Sequence, residues 1–265
     1  MKKLIITFLL VVIFTSTYVA PVKGASNKIN QKKDKVLDAV LETTDQAIKT
    51  SDKEIKDYEK KFQKYKGYVT TSLNIRASPS AESKVAGMLY YGEQIIYQKY
   101  NKNWLKIEEG YVSAKYITNK KPKSTIYNIP ENSGYKSYTN YTMITDTTSP
   151  QWELQQIAET NELGIRTVDG RYCVAIGYYF DADIGQYFDL ILENGAIIHC
   201  IKSDEKRIED TDESNIFSFN GCCSEFTVEE DCLVSEALTF GDISKCQSDW
   251  ESPVVKIKIY NKGYW

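Results

Sequence analysis

The sequence predicts a mainly β protein in which a helical segment precedes two β-rich domains. Residues 25–66 contain neither glycine nor proline, the two residues that most often interrupt a helix. Further along, apolar and polar residues alternate in short runs such as Leu73–Arg76 and Val254–Tyr260, which is the period of a strand with one buried face. The dipeptide Asn194-Gly195 between two apolar runs predicts a β-hairpin.

Residues 1–24 are predicted to be a secretory signal peptide. Lys2 and Lys3 form a basic start, and residues 4–14 form an apolar run that is shorter than the roughly 18 residues of a membrane helix. Cleavage is expected after Gly24, and no later stretch is apolar enough to span a bilayer. The mature protein is therefore expected outside the cell and without a stable membrane span.

The charge balance argues against a nucleic-acid partner. The chain has a formal net charge of −3, and loss of Lys2, Lys3 and Lys23 with the signal peptide makes the mature chain more acidic still. No basic patch with interleaved aromatic residues is present. The 20 tyrosines are compatible both with half-exposed β surfaces and with faces that stack on sugars.

Residues 25–66 are predicted to be a helical spacer or a coiled coil. Apolar residues over 37–65 follow an approximate heptad spacing, which allows self-association through this face. They are Leu37, Leu41, Ile48, Ile55, Tyr58, Phe62 and Tyr65. Polar Thr44 and Ser51 occupy two of the core heptad positions, which favours the spacer. Ser51–Glu54 has the pattern of a capping box, so the helix is expected to stop and restart there.

Residues 67–118 contain a series of strand and turn motifs. Leu73–Arg76 alternates apolar and polar residues, and Pro79 ends that strand because proline lacks a donor for a ladder. The later motifs are Gly87-Met88-Leu89-Tyr90-Tyr91-Gly92, Trp104-Leu105-Lys106-Ile107 and Gly110-Tyr111-Val112-Ser113-Ala114-Lys115-Tyr116-Ile117. This order of motifs resembles the bacterial SH3 (SH3b) family. The resemblance implies a small SH3-like β-barrel that attaches the protein to the bacterial cell wall.

Peptidoglycan or another polymer of a Gram-positive wall is therefore the expected partner. Tyrosine rings can stack on sugar rings and hydrogen-bond through their hydroxyl groups. The binding residues are predicted among the tyrosines of this segment. They are Tyr90, Tyr91, Tyr97, Tyr100 and Tyr111.

Residues 119–141 are predicted to be a linker, because prolines interrupt them and no apolar period runs through them. Residues 142–265 are predicted to form a compact, mostly closed β-barrel of about six strands. One helix over Pro150–Glu162 is expected to pack on it, capped by Ser149 and ended by Gly164. The expected strands are Tyr172–Ile176, Tyr187–Leu192, Ala196–Ile201, Ser224–Val228 and Val254–Tyr260.

The strand–turn–strand segment that leads to Asp204 resembles, distantly, the core of double-psi β-barrel wall proteins. It departs from that pattern at Glu205-Lys206-Arg207, where the family has Arg-Gly-Pro. The wider segment 164–260 resembles an uncharacterised group of secreted and phage-associated domains, which brings no activity with it. In lytic double-psi proteins an aspartate at this strand end cleaves glycan strands. The resemblance therefore makes Asp204 the candidate general acid.

A single carboxylic acid can suffice for lytic cleavage, because it protonates the glycosidic oxygen while a hydroxyl of the sugar closes on the anomeric carbon. Such an acid must keep its proton near neutral pH. Asp210 and Asp212 are close to Asp204 in sequence and could raise its pKa; a solvated acidic loop is the alternative. Two functions stay open: a wall-binding protein, which the sequence favours, and a peptidoglycan-cleaving enzyme.

His199 is the single histidine, so no multi-histidine zinc site is predicted, and a structural role is expected. Its neighbour Cys200 should point to the opposite face of the strand, which argues against a Cys–His pair. Six cysteines in an exported domain suggest disulfides, with Cys173 and Cys200 as the first pair to consider; reduced thiols are the alternative. No cofactor and no metal site is predicted.

Overall fold

The structure of the protein is a computed structural model that describes residues 26–265. The predicted signal peptide lies outside the described residues. Residues 63–265 form one compact unit, and the helix that precedes them belongs to the other. None of the helices in the described part of the chain is long and apolar enough to cross a membrane.

Helix α1 spans Ser26–Phe62. The break predicted at Ser51–Glu54 is wrong, because the helix continues through these residues. The hydroxyls of Thr44 and Thr50 donate to the carbonyls four residues earlier, which accommodates these polar side chains inside the helix. Several large apolar side chains of α1 are exposed. They are Val36, Leu37, Val40, Leu41, Ile48, Tyr58 and Phe62.

The N-terminal β module follows as seven antiparallel strands in the order β3-β2-β6-β5-β4-β1-β7. The strands are β1 Tyr65–Val69, β2 Leu73–Arg76, β3 Val85–Leu89, β4 Gln94–Lys99, β5 Trp104–Lys106, β6 Tyr111–Ser113 and β7 Ile117–Thr118. Strand β4 pairs with β1 along its first part and with β5 at its end, so the sheet folds over one core. Leu73 and Ile75 of β2 are buried in that core while Asn74 and Arg76 are not, as their alternation predicts.

The C-terminal β module contains nine strands and two short helices. The strands are β8 Ser124–Asn128, β9 Ser137–Asn140, β10 Glu159–Thr160, β11 Arg166–Val168, β12 Arg171–Gly177, β13 Gln186–Leu192, β14 Ile197–Lys206, β15 Glu225–Val228 and β16 Val254–Gly263. The helices are α2 Pro150–Ile157 and α3 Ser235–Phe240. The main path is β10-β11-β12-β14-β13-β16-β8, and β15 pairs with both β12 and β9.

The predicted class, mainly β with an N-terminal helix and two β-rich modules, is confirmed. The five strands predicted after residue 142 are all present, although β14 and β16 extend further than expected. In detail, the strands form a mixed sheet whose described pairings leave two ends, at β10 and β8, where a mostly closed barrel was expected. Strands β12 and β14 are parallel, which makes the sheet mixed.

Two strands come from the segment predicted as a linker. Strand β8 pairs with β16, and β9 pairs in parallel with β15. Ser137 pairs with Glu225, 88 residues later, and Asn128 pairs with Lys256, 128 residues later, so no local pattern predicts these strands. The predicted segment 119–141 therefore contributes directly to the C-terminal sheet.

Helix α2 begins as predicted and ends early. The N–H of Trp152 donates to Ser149 Oγ at 3.2 Å, and Pro150 occupies the first turn. The helix ends at Ile157 because the Arg166 guanidinium binds the carbonyl of Ala158 at 2.6 Å and the chain then enters β10. The expected helical residues up to Glu162 therefore form a strand and a turn instead.

The expected Cys173–Cys200 disulfide is not formed, and all six cysteines are free thiols. In the parallel pair β12–β14, Cys200 is opposite Tyr172, and Cys173 is opposite Ile201. Cys173 and Cys200 therefore face opposite sides of the sheet, where each is fully buried in a different apolar cluster. Burial raises the pKa of the Cys173 thiol to about 12, which leaves it protonated and unreactive near neutral pH.

Candidate functional sites

The two β modules meet at the turn between β3 and β4. The carbonyl of Tyr91 accepts a hydrogen bond from Arg171 Nη2 at 2.8 Å, and the Tyr91 ring lies edge-on to Tyr260 at 5.4 Å. Gly92 has φ +90°, and a Cβ at this position would clash with the Tyr260 ring. A side chain at Gly92 would therefore be disfavoured both by the backbone and by the neighbouring module.

A charged network crosses this contact, which we call the clasp: Glu93, Arg171, Asp189, His199 and Tyr260. The two ring nitrogens of His199 contact Glu93 Oε1 and Asp189 Oδ1, each at 2.9 Å. Asp189 also accepts hydrogen bonds from Tyr260 at 2.6 Å and from the fully buried Arg171 at 3.1 Å. Glu93 belongs to the N-terminal module, so the network joins the two modules through side chains.

The hairpin geometry explains how the clasp forms. Asp189 and His199 are directly opposite each other in the antiparallel pair β13–β14, so their side chains share a face. Tyr90 of the N-terminal module stacks on the His199 ring with centroids 4.3 Å apart. The predicted structural role of His199 agrees with these contacts, and Cys200 points away from it into the core as expected.

The charges of the clasp stabilise one another. Burial alone would raise the pKa of Asp189, but the hydrogen bond from His199 and the charge of Arg171 lower this pKa below its ordinary value of 3.8. Burial alone would lower the pKa of His199, but hydrogen bonds to Asp189 and Glu93 raise it above 6.5. The two carboxylates therefore favour the protonated form of the imidazole that lies between them.

A cavity of about 580 Å³ lies beside the clasp. Tyr68 and Gln94 line it from the N-terminal module, and Ile197 and Lys258 line it from the C-terminal module. No group of three or more His, Cys, Asp or Glu residues in the described ranges is placed to hold a metal ion. Both nitrogens of His199 already contact carboxylates, which is consistent with that finding.

The family comparison identifies the N-terminal module. Residues 71–118 match the family model of the bacterial SH3 domain. This segment is a bacterial SH3 domain. A search among curated proteins and a search among solved structures each gave no match, so nothing in these comparisons identifies the C-terminal module.

The predicted binding tyrosines of the SH3 domain lie in three different environments. Tyr90 and Tyr91 pack against the C-terminal module, as described above. Tyr97 stacks on Tyr65 with centroids 5.6 Å apart. Tyr100 and Tyr111 form an edge-on pair at 5.0 Å, and the Tyr100 side chain is 54% exposed. We call Tyr100 and Tyr111 the outer tyrosine pair.

Asp204 lies on a different part of the C-terminal sheet, at a second cavity of about 360 Å³. Ala175 of β12 is opposite Asp204 of β14 on one side and opposite Glu225 of β15 on the other. Residues paired in this way point to the same face, so the two carboxylates flank the small Ala175 side chain. Glu225 comes from a strand that pairs across a long loop, and its place in this site was not predicted from the sequence.

The two carboxylates have different surroundings. Burial raises the pKa of Asp204 above its ordinary value of 3.8, and the charge of Glu225 adds to this rise, although Gln151 and the Glu205 N–H donate to Asp204. Glu225 contacts Lys206 Nζ and the Ser137 hydroxyl, each at 3.3 Å. Two carboxyl groups with different hydrogen-bond and charge partners therefore face one cavity.

Asp210 and Asp212, the two aspartates that were expected to raise the pKa of Asp204, have other roles. Asp210 lines the cavity. Asp212 accepts hydrogen bonds from Ser214 and from the backbone of Phe217, and these outweigh slight burial and lower its own pKa. The carboxylate that acts on Asp204 is Glu225.

Proposed function

We propose that this protein is secreted, loses residues 1–24 and binds cell-wall peptidoglycan through its SH3 domain. The family match to residues 71–118 carries the proposal, because bacterial SH3 domains are commonly cell-wall binding modules. The predicted signal peptide supports export, and the expected wall polymer fits a domain whose surface presents tyrosine rings.

The outer tyrosine pair is the proposed contact for the wall ligand. Tyr90 and Tyr91 are unsuitable because the clasp and its neighbours cover them from the C-terminal module. The exposed ring of Tyr100 meets Tyr111, and Lys106 Nζ lies 5.9 Å from the Tyr111 ring centroid. Two rings and a cation on one side of the domain suit a sugar or peptide that carries a carboxylate.

Co-sedimentation of the mature protein with purified Gram-positive sacculi tests the proposal. We expect the protein to sediment with sacculi and not with cellulose. The double variant Tyr100→Ala, Tyr111→Ala should bind about tenfold more weakly, which corresponds to roughly 1.4 kcal/mol. Tyr178→Ala is the control, because Tyr178 is an exposed tyrosine, 61% against 54% for Tyr100, but belongs to the C-terminal module. Sedimentation no better with sacculi than with cellulose would refute wall binding.

Glycan cleavage is a second candidate function, favoured by the raised pKa of Asp204 at the edge of a cavity. In this case the mature protein should release soluble fragments from sacculi. The loss of these fragments in Asp204→Asn, with sacculus binding retained, would support it. Intact sacculi after prolonged incubation with the unmodified protein would exclude it and leave the binding function untouched.

For helix α1 we propose a spacer, with self-association through residues 37–65 as the second candidate. The exposed apolar residues at heptad spacing favour association, whereas polar Thr44 and Ser51 interrupt that face. Sedimentation velocity of the mature protein separates the two. A monomer over a hundredfold range of concentration supports the spacer, and a dimer that Leu41→Asp disrupts supports self-association.

A further inference from the structure

Four features surround Asp204 that a single lytic acid does not require. Glu225 faces the same cavity from the other side of Ala175. Phe219 lines the cavity with a ring that is 78% exposed, and Asn220 follows it. Ser218, which is 9% exposed, also lines the cavity, and its hydroxyl has no hydrogen-bond partner among the residues that the structure describes.

We propose that this cavity is a glycoside hydrolase site in which Asp204 is the general acid and Glu225 is the general base. The inference deepens the second candidate function and replaces its single-acid chemistry by hydrolysis with two carboxylates. It is independent of the wall-binding role of the SH3 domain.

The sheet geometry sets the distance between the two groups. Asp204 and Glu225 lie two strands apart, and neighbouring strands are about 4.8 Å apart, so their backbones are separated by roughly 10 Å. Carboxyl groups that flank Ala175 from this backbone separation can lie on opposite sides of a bound sugar. Carboxyl separations of about 6.5 to 9.5 Å are typical of inverting glycosidases, whereas retaining enzymes need about 5 Å. The geometry favours inversion.

The surroundings assign the two roles. Asp204 is half-buried and faces the negative charge of Glu225, and both factors favour its protonated form. Glu225 contacts the ammonium group of Lys206, which is 8% exposed, and the hydroxyl of Ser137, so a cation and a hydrogen-bond donor lie against this carboxyl group. One group can therefore give a proton while the other accepts one.

The rim of the cavity indicates the substrate class. An exposed aromatic ring can stack on the apolar face of a pyranose, as Phe219 is placed to do. The amide of Asn220 and the hydroxyl of Ser218 supply hydrogen-bond partners for sugar hydroxyls. The guanidinium group of Arg207 adds a positive charge, which suits a glycan bearing carboxylates. The glycan strand of the cell wall has this chemistry.

The reaction is a balanced hydrolysis. Asp204 donates its proton to the glycosidic oxygen as the bond from that oxygen to the anomeric carbon breaks. A water molecule attacks the anomeric carbon from the opposite side, and Glu225 takes the proton that this water loses. The products are an alcohol and a reducing sugar of inverted configuration. Proton exchange with solvent then returns Asp204 to its acid form and Glu225 to its carboxylate.

The experiment is digestion of purified Gram-positive sacculi by the mature protein, with mass spectrometry of the released fragments. We expect fragments with hydrated reducing ends. Asp204→Asn and Glu225→Gln should each slow the release by about 10² to 10⁴-fold, and Phe219→Ala by roughly tenfold. Glu209→Gln is the matched control for Glu225→Gln, because Glu209 is an exposed carboxylate that precedes Asp210 and does not itself line the cavity. It should cleave at the unmodified rate.

Removal of Glu225 also breaks its ion pair with Lys206, so a second measurement is needed to separate catalysis from folding. Azide should restore cleavage by Glu225→Ala and yield a glycosyl azide of inverted configuration, because azide does not need a base. Only a folded protein can show this rescue.

Three results would overturn the proposal. Fragments with anhydro ends and normal cleavage by Glu225→Gln would leave Asp204 acting alone. A retained anomeric configuration would make Glu225 a nucleophile instead of a base. No cleavage by the unmodified protein, with sedimentation on sacculi retained, would remove the enzymatic function and leave wall binding intact.

Discussion

Asp189 and Asp204 lie on adjacent strands of the same sheet, and their pKa values are shifted in opposite directions. Burial acts on both in the same sense, because it disfavours the charged carboxylate. The pKa of Asp189 nevertheless falls below 3.8, and that of Asp204 rises above it. The difference shows that the partners of a carboxylate decide whether its pKa falls despite burial or rises with it.

The partners are different in kind. Asp189 forms ion pairs with His199 and Arg171 and accepts a hydrogen bond from the hydroxyl of Tyr260, and these contacts together stabilise its negative charge. Asp204 accepts hydrogen bonds from the side-chain amide of Gln151 and from the backbone N–H of Glu205, and it faces the carboxylate of Glu225. Asp189 thus suits a structural anchor for the SH3 domain, and Asp204 suits a group that exchanges a proton.

The largest effect is expected from Asp189→Asn. The substitution leaves Arg171 and His199 without their buried anion, and loss of one partner from a buried ion pair costs about 3 to 5 kcal/mol. Urea unfolding of the mature protein at pH 6 measures the change in unfolding free energy. The exposed Asp249→Asn serves as control and should change stability by less than about 0.5 kcal/mol. Equal effects of the two substitutions would show that the clasp is not an anchor.

Gly92→Ala should have the next largest effect, because it acts on Tyr260, the phenol that donates to Asp189. Gly221 also has a positive φ, of +80°, but no heavy atom lies near the place of its missing Cβ. Both alanine variants share the backbone penalty of about 1 to 2 kcal/mol. Gly92→Ala should lose a further 1 to 3 kcal/mol, approximately, through the clash with Tyr260. Identical unfolding free energies for the two variants would show that the contact between Gly92 and Tyr260 does not contribute to stability.

His199→Gln tests the clasp through pH. The pKa of His199 in the folded state is above 6.5, so its stabilisation is complete below pH 6.5 and is lost as the pH rises through the folded pKa. The variant should lose about 1.5 to 3 kcal/mol at pH 6, the contribution of a hydrogen bond between charged groups, and less at pH 8. His199 is the single histidine, so no other imidazole contributes. A deficit that stays constant between these pH values would contradict the cationic imidazole.

Asp204→Asn should have the smallest effect on stability, with the opposite sign. The folded-state pKa of Asp204 is raised, so its contribution is complete below pH 3.8 and is lost as the pH rises through the folded pKa. At pH 7 the neutral amide should therefore leave stability unchanged or raise it by roughly 0.5 kcal/mol. A loss of stability as large as that of Asp189→Asn would remove the distinction between the two aspartates.

The sequence predicts what is local in this comparison and misses what is distant. The two apolar runs and the Asn194-Gly195 dipeptide between them are sufficient to predict β13, β14 and their hairpin. The N–H of Leu192 donates to the carbonyl of Ala196, so the loop between β13 and β14 has three residues, one more than a two-residue turn. This loop length sets the register that pairs Asp189 with His199. A tighter two-residue turn would shift the register by one and separate them.

The remaining partners come from parts of the chain that no local pattern connects. Glu93 reaches His199 from the SH3 domain, and Glu225 reaches the Asp204 cavity across a loop and a third strand. Strands β8 and β9 likewise pair with residues at least 88 positions away, so the segment resembles a linker when considered alone. Only the folded sheet brings these groups together.

The most direct test is a pH titration of the carboxyl carbons of Asp189 and Asp204 by NMR, with the two asparagine variants used for assignment. We predict that Asp189 stays ionised until the pH falls below 3.8 and that Asp204 still holds a proton above that pH. Titration of both groups at the same pH, or of Asp204 below Asp189, would contradict the assignment of one aspartate to the clasp and the other to proton transfer.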